Sequence, residues 1–156
     1  MSCTPSMMPL FTIGYEQATS AAVLEELLEA KIDLVVDVRA IAASRRPGFS
    51  KRQLAADLDE RGLRYLHFRS LGTPAEGRLA ARSGRVEELF RIYENHLASP
   101  GAREQLDELT ALVRSGQRIC LVCYERNPHH CHRRRVAELL QERTGVAVTH
   151  LAARLV

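Results

Sequence analysis

The chain has 156 residues, 46% apolar and 26% charged, which is one domain's worth of ordinary globular composition. This excludes a disordered tail, a collagen-like fibre and a disulfide miniprotein, and it allows roughly two thirds of the unfolded surface to be buried around one core. The formal net charge of +3 is too small to mark a nucleic-acid binder by itself.

We expect a single α/β domain over residues 1–156, with Met1–Pro9 as a flexible tail. The start lacks a basic n-region followed by an apolar h-region. No run reaches the roughly 18 apolar residues of a membrane helix. A cytoplasmic protein with reduced thiols at Cys3, Cys120, Cys123 and Cys131 is the expectation. Only Lys31 and Lys51 are lysine; the other basic residues are arginine, whose planar fork suits phosphate and carboxylate.

In chain order, Leu10–Ile13 is a short apolar run stopped by Gly14 and predicts a first strand. Thr19 or Ser20 caps a helix with Val23, Leu24, Leu27 and Leu28 on one face. Ile32–Val38 is nearly all aliphatic and predicts a strand buried on both faces. A long loop, Arg39–Phe49, leads to a helix opened by a capping box of Ser50 with Gln53, continued by Leu54 and Leu58 and closed at Gly62. Leu63–Phe68 predicts a third strand. The stretch Ser70–Gly84, with Gly72, Pro74, Gly77 and Gly84, reads as an irregular excursion.

Arg85–Leu97 is helical, with Val86, Leu89, Phe90 and Tyr93 on one side. Ser99-Pro100 restarts a helix carrying Leu106, Leu109, Leu112 and Val113 and ending at Gly116. Ile119–Cys123 predicts a buried strand, Cys131–Arg143 a helix ended by Gly145, and Val146–Leu151 a last strand. The alternation predicts a three-layer, Rossmann-like α/β fold: a mainly parallel five-stranded sheet with helices on both faces. Apolar helix faces can cover that sheet or a second copy, so a homo-oligomer stays open.

In such sheets ligands bind beyond the carboxyl ends of the strands. Two segments there are rich in chemistry. The first, Asp37 to Lys51, holds Asp37, Arg39, Ser44 and Arg45, with no acid between Asp37 and Asp57. Arg39 and Arg45 suit an anion, aided by the amides that open the next helix. Asp37 either pairs with Arg39 or acts as a base.

The second segment, Cys123 to Arg135, holds Cys123, Glu125, Cys131, His132 and Arg133. Three readings stand side by side: a thiolate at Cys123 or Cys131 activated by arginines and the helix dipole, a zinc or other divalent metal site on Cys123, Cys131 and His132, and an oxyanion cradle on Arg133 and the helix amides. Glu125 is a candidate general base, metal ligand or arginine partner. Tyr15 and Glu16 follow the first strand and can reach the same edge. Cys120 reads as core, and His67 as a hydrogen-bonded histidine of its strand.

Thr12-Ile13-Gly14-Tyr15, Asp37-Val38-Arg39 with Ser44-Arg45 and Phe49-Ser50, Tyr65, His67, Leu71-Gly72, Cys123-Tyr124-Glu125 and Cys131-His132-Arg133 occur in that order. Together they resemble the "domain of unknown function 488" family, from about Thr12 to Leu140. Ala42 stands where that family usually has proline, and Thr73 where it usually has a second glycine. The resemblance implies the fold and the site but no reaction. A looser resemblance to rhodanese-like and phosphatase-like domains lacks the arginine of a Cys-x5-Arg loop, since six residues after Cys123 stands His129.

The expectation is an enzyme acting on a phosphorylated, nucleotide-like or nucleic-acid substrate. Asp37, Cys123, Glu125, Cys131 and His132 would do the chemistry, and Tyr15, Arg39, Ser44, Arg45 and Arg133 would bind the anionic partner. The alternatives are a non-catalytic nucleotide or nucleic-acid binding module, and a thiol-based sulfur-transfer or redox protein. No membrane partner is expected.

Overall fold

In the computed structural model, which describes residues 8–155, the aliphatic runs become the strands of one sheet. They are β1 (Leu10–Gly14), β2 (Leu34–Asp37), β3 (Arg64–His67), β4 (Ile119–Cys123) and β5 (Val148–Leu151), in the spatial order β3-β2-β4-β1-β5, with every pairing parallel. β1, β2 and β4 are buried at every position, as strands covered on both faces must be. The flanking β3 and β5 are partly exposed. The expected tail, Met1–Pro9, lies outside the described residues except for Met8 and Pro9. Among the described residues no helix is long and apolar enough to cross a membrane.

Among the described residues, six α-helices complete a three-layer, Rossmann-like α/β fold. On one face, α1 (Ser20–Glu29) and α2 (Lys51–Glu60) pack Val23, Leu27, Leu54 and Leu58 against Phe11, Ile13, Val35 and Val122. On the other, α4 (Val86–Leu97), α5 (Pro100–Arg114) and α6 (His132–Thr144) pack Tyr93, Leu109, Val136 and Leu140 against Val36, Leu121 and Cys123. Alternate residues of β4 thus serve opposite cores, following the two-residue side-chain period of a strand.

Three local expectations change. Leu28 is 44% exposed, because it follows Leu27 by 100° around α1 and leaves the buried stripe. The capping box at Ser50 does not form: its hydroxyl donates to the Ser44 carbonyl and accepts from the Ser44 amide, both at 3.1 Å, while Gln53 bonds Asp57. Thr19, by contrast, caps α1 through the Ala22 amide at 3.1 Å.

The third change matters most. The expected irregular excursion contains a helix, α3 (Ala75–Arg82). Gly77 sits inside it because a Cβ there would lie 2.3 Å from the Thr73 methyl. The glycine allows close packing and is not a break.

Candidate active site

The strand order creates a crevice. After β2 the chain moves outward to β3, whereas after β4 it crosses β1 to reach β5. The loops that leave β2 and β4 therefore separate, and the gap at their carboxyl ends is the place where such sheets bind ligands. A cleft of about 510 Å³ lies there, walled by the two loops and by α3. Tyr15, Arg39, Ser44, Cys123, Glu125, Cys131 and His132 all line it.

Arg39 lines the cleft, and Asp37 is buried in an ion pair with Arg39. Both are buried, Asp37 at 0% and Arg39 at 5% exposure. Arg39 grips the carboxylate with Nε at 2.9 Å and Nη2 at 2.7 Å, and its own amide donates to Oδ1 at 3.1 Å. The Tyr65 hydroxyl donates to Oδ2 at 2.5 Å. With both carboxylate oxygens engaged, Asp37 holds the loop and is not free to act as a base. Arg39 Nη1 donates to the Tyr15 hydroxyl at 3.0 Å and to the Phe49 carbonyl at 2.8 Å. Burial alone would lower the Arg39 pKa, but the hydrogen bonds and charge of Asp37 raise it. Tyr15 stacks on Phe49 with centroids 4.2 Å apart. His67 Nε2 donates to the Arg39 carbonyl at 2.7 Å, consistent with the hydrogen-bonded strand histidine expected from sequence. This network ties the start of the β2 loop to Tyr15, Phe49, Tyr65 and His67.

The floor is built from the end of β4 and the start of α6. His132 Nε2 lies 2.7 Å from the Val38 carbonyl. A carbonyl only accepts, so Nε2 donates to it. Nδ1 lies 3.7 Å from Cys123 Sγ and 3.9 Å from Cys131 Sγ. The Tyr93 ring meets His132 edge-on at 5.0 Å, and its hydroxyl donates to the Leu71 carbonyl at 2.6 Å.

The two thiols titrate as a pair. The Cys123 pKa is raised because its hydrogen bond to Cys131, reinforced by burial, keeps its proton in place. Burial also opposes ionisation of Cys131, but hydrogen bonding from Cys123, the His132 ring and the Arg133 guanidinium outweigh it and lower the pKa. Cys131 is also the N-cap of α6, where the helix dipole favours a negative charge.

Arg133 is fully buried and has no carboxylate partner among the described residues. It donates to Thr12 Oγ1 at 3.2 Å, to the Arg126 carbonyl at 3.2 Å and to the Glu125 carbonyl. It therefore ties the β4–α6 loop to β1 from behind and places a positive field beneath the cleft. Gly14 makes that approach possible: a Cβ there would lie 1.8 Å from the Glu125 carbonyl oxygen.

Glu125 is half-buried, and its carboxylate has no hydrogen-bond partner among the described residues. Burial first, then Glu16 and Cys131, push it up to about 7, against the pull of Arg133 and His132. A carboxyl near that value can both take and return a proton near neutral pH.

Three expected residues do not line the cleft. Asp37 is fully buried in its pair with Arg39. Arg45 is exposed and does not line the cleft, because the Ser44–Ser50 bonds turn the loop outward there. Arg133 is fully buried and does not line the cleft. Conversely, Arg78 and Arg82 of α3 line the cleft and were missed. Their spacing of four residues puts both on one helix face. In the sequence, Gly72, Pro74, Gly77 and Gly84 mask that spacing. Tyr124 also lines the cleft, 41% exposed and edge-on to Tyr15 at 5.4 Å.

No match was found among curated proteins or among solved structures. A family model does match, over residues 19–140, which covers α1 to α5, β2 to β4, most of α6 and every cleft-lining residue except Tyr15. The chain belongs to the family described as Domain of unknown function DUF488.

Proposed function

We propose that the cleft is the active site of an enzyme acting on a phosphate-bearing, nucleotide-like or nucleic-acid-derived substrate. The observation that carries this reading is Glu125: a half-buried, unpaired carboxyl beside two thiols and an imidazole. Burying an unpaired carboxyl costs stability, and a structural role would have supplied it with a partner. Its remaining use is proton exchange with a bound molecule.

Arg78 and Arg82 on one wall supply guanidinium groups for anionic oxygens. Arg133 adds its field from below. Tyr124 offers an aromatic face at the mouth, which suits a base or sugar ring. Asp37, Arg39, Tyr15 and Tyr65 hold the β2 loop in place, and Ser44 shapes the wall. Glu125 transfers the proton, and Cys123, Cys131 and His132 form the reacting centre. A binding module alone would need the arginines but not an unpaired, half-buried acid.

Turnover of phosphate esters, nucleotides and short oligonucleotides, followed by mass spectrometry, tests the reading. Glu125→Gln is expected to lower kcat by about 10²-fold or more, the usual scale of general acid–base work. Arg78→Ala is expected to raise KM. Turnover undiminished in Glu125→Gln, or salt-dependent binding with no turnover of any substrate, would sink it.

A further inference from the structure

The floor cluster has a geometry that packing alone does not demand. One ligand atom each from Cys123, Cys131 and His132 lies within 4.8 Å of the others, and no fourth His, Cys, Asp or Glu joins this group among the described residues. We propose that these three residues bind one thiophilic divalent ion, zinc first, in a site whose fourth position opens into the cleft. This rests on reading the cleft as an active site, and it identifies what the sulfur cluster there holds.

Spacing is the first support. Bonds of about 2.3 Å to sulfur and about 2.0 Å to nitrogen, at tetrahedral angles, place a sulfur and a nitrogen roughly 3.5 Å apart. The Nδ1 to Sγ separations of 3.7 and 3.9 Å are close to that, whereas they are long for strong hydrogen bonds.

Orientation is the second. Nε2 is tied to the Val38 carbonyl, so Nδ1 is the ring nitrogen available to a metal; Cys123 Sγ lies 3.7 Å from Nδ1 and 3.8 Å from Nε2, and Cys131 Sγ lies 3.9 Å from Nδ1. A metal-ligating histidine commonly donates its other N–H in this way, which sets both tautomer and ring direction. The third support is rigidity: Cys123 ends a fully buried strand, and Cys131 and His132 open α6. Access is the fourth, since all three residues line the cleft. Two thiolates and an imidazole favour zinc over the hard oxygen-seeking cations. Three protein ligands with one open position is the pattern of a catalytic and not a structural zinc site.

The test reads metal and sulfur, not turnover. Protein purified without chelators is assayed for metal. Reduced, metal-stripped protein is then titrated with Co²⁺ and followed by absorption spectroscopy. We expect about one ion per chain and thiolate-to-cobalt bands of a four-coordinate centre. Cys123→Ser and Cys131→Ser should each remove about half of that band intensity and weaken binding by at least about tenfold. Cys120→Ser, on the opposite face of β4, should change neither. Added azide should shift the bands, because the fourth position is open.

If a variant fails to fold, the wild type alone decides: Zn²⁺ should protect Cys123 and Cys131, and not other thiols, from alkylation. Absence of stoichiometric metal, cobalt spectra without sulfur bands, or a Cys123–Cys131 disulfide in freshly purified protein overturns the proposal. Bands unmoved by azide overturn the open position. A negative metal result with substrate turnover that still depends on Glu125 would refute the metal site alone and leave the enzyme reading standing.

Discussion

Replacing Asp37 with asparagine removes a negative charge from beneath a guanidinium that is only 5% exposed. Asparagine keeps the shape, but the Arg39 charge is then left with only the Tyr15 hydroxyl, the Phe49 carbonyl and one amide oxygen as acceptors. Breaking a buried pair by removing one partner typically costs 3–5 kcal/mol, because the orphaned charge stays desolvated. The carboxylate here accepts Nε, Nη2 and the main-chain amide of Arg39 and the Tyr65 hydroxyl, so we expect about 3 kcal/mol or slightly more.

Against a typical total of about 5–15 kcal/mol, that is a large fraction. A urea titration followed by circular dichroism should show the midpoint falling by about 1–2 M with an unchanged slope. The cost belongs to the unpaired charge, so Asp37→Asn combined with Arg39→Met should be less destabilised than Asp37→Asn alone. A loss below about 1 kcal/mol, or a double variant no more stable than the single, would refute the orphaned-charge account.

Other outcomes follow from the same contacts. Gly14→Ala puts a methyl 1.8 Å from the Glu125 carbonyl, so stability should fall by about 1–3 kcal/mol and Glu125-dependent turnover should drop further, as denaturation and activity assays together would show. Tyr93→Phe leaves the Leu71 carbonyl without its 2.6 Å donor and should cost about 1–2 kcal/mol in the same titration. Glu125 has a folded-state pKa of about 7, above its unfolded value, so the fold favours the protonated form. That contribution is complete below the unfolded pKa and is lost as pH rises through about 7. In metal-stripped protein it should amount to about 1 kcal/mol after solvent screening of a half-exposed group, and Glu125→Gln should abolish this part of the pH dependence of the denaturation midpoint.

Most of the architecture was legible from local pattern. Continuous aliphatic runs such as Leu34–Asp37 and Ile119–Cys123 become strands because only a doubly covered sheet can bury both faces at once. Helix ends were legible where one residue settles them, as at Thr19 and Gly145. The α3 helix was not, because its glycine answers to Thr73 across space and not to its neighbours in sequence. Arg78 and Arg82 were lost from the candidate site with it.

The alternation of strands and helices, and the residue types that follow β2 and β4, can be read along the chain. Those follow from side-chain period and local chemistry, which short segments carry alone. Which of these groups the fold consumes depends on contacts between distant elements. Asp37, Arg39 and Arg133 look equally available along the chain, yet each is buried and hydrogen-bonded to a group distant in sequence: Asp37 to Tyr65, Arg39 to Tyr15 and Arg133 to Thr12. Glu125 looks no different from them and is left without a partner in the cleft. The difference lies in long-range packing: the strand order places the β2 and β4 ends side by side, and burial then sets which charges must be neutralised and which are left for a ligand.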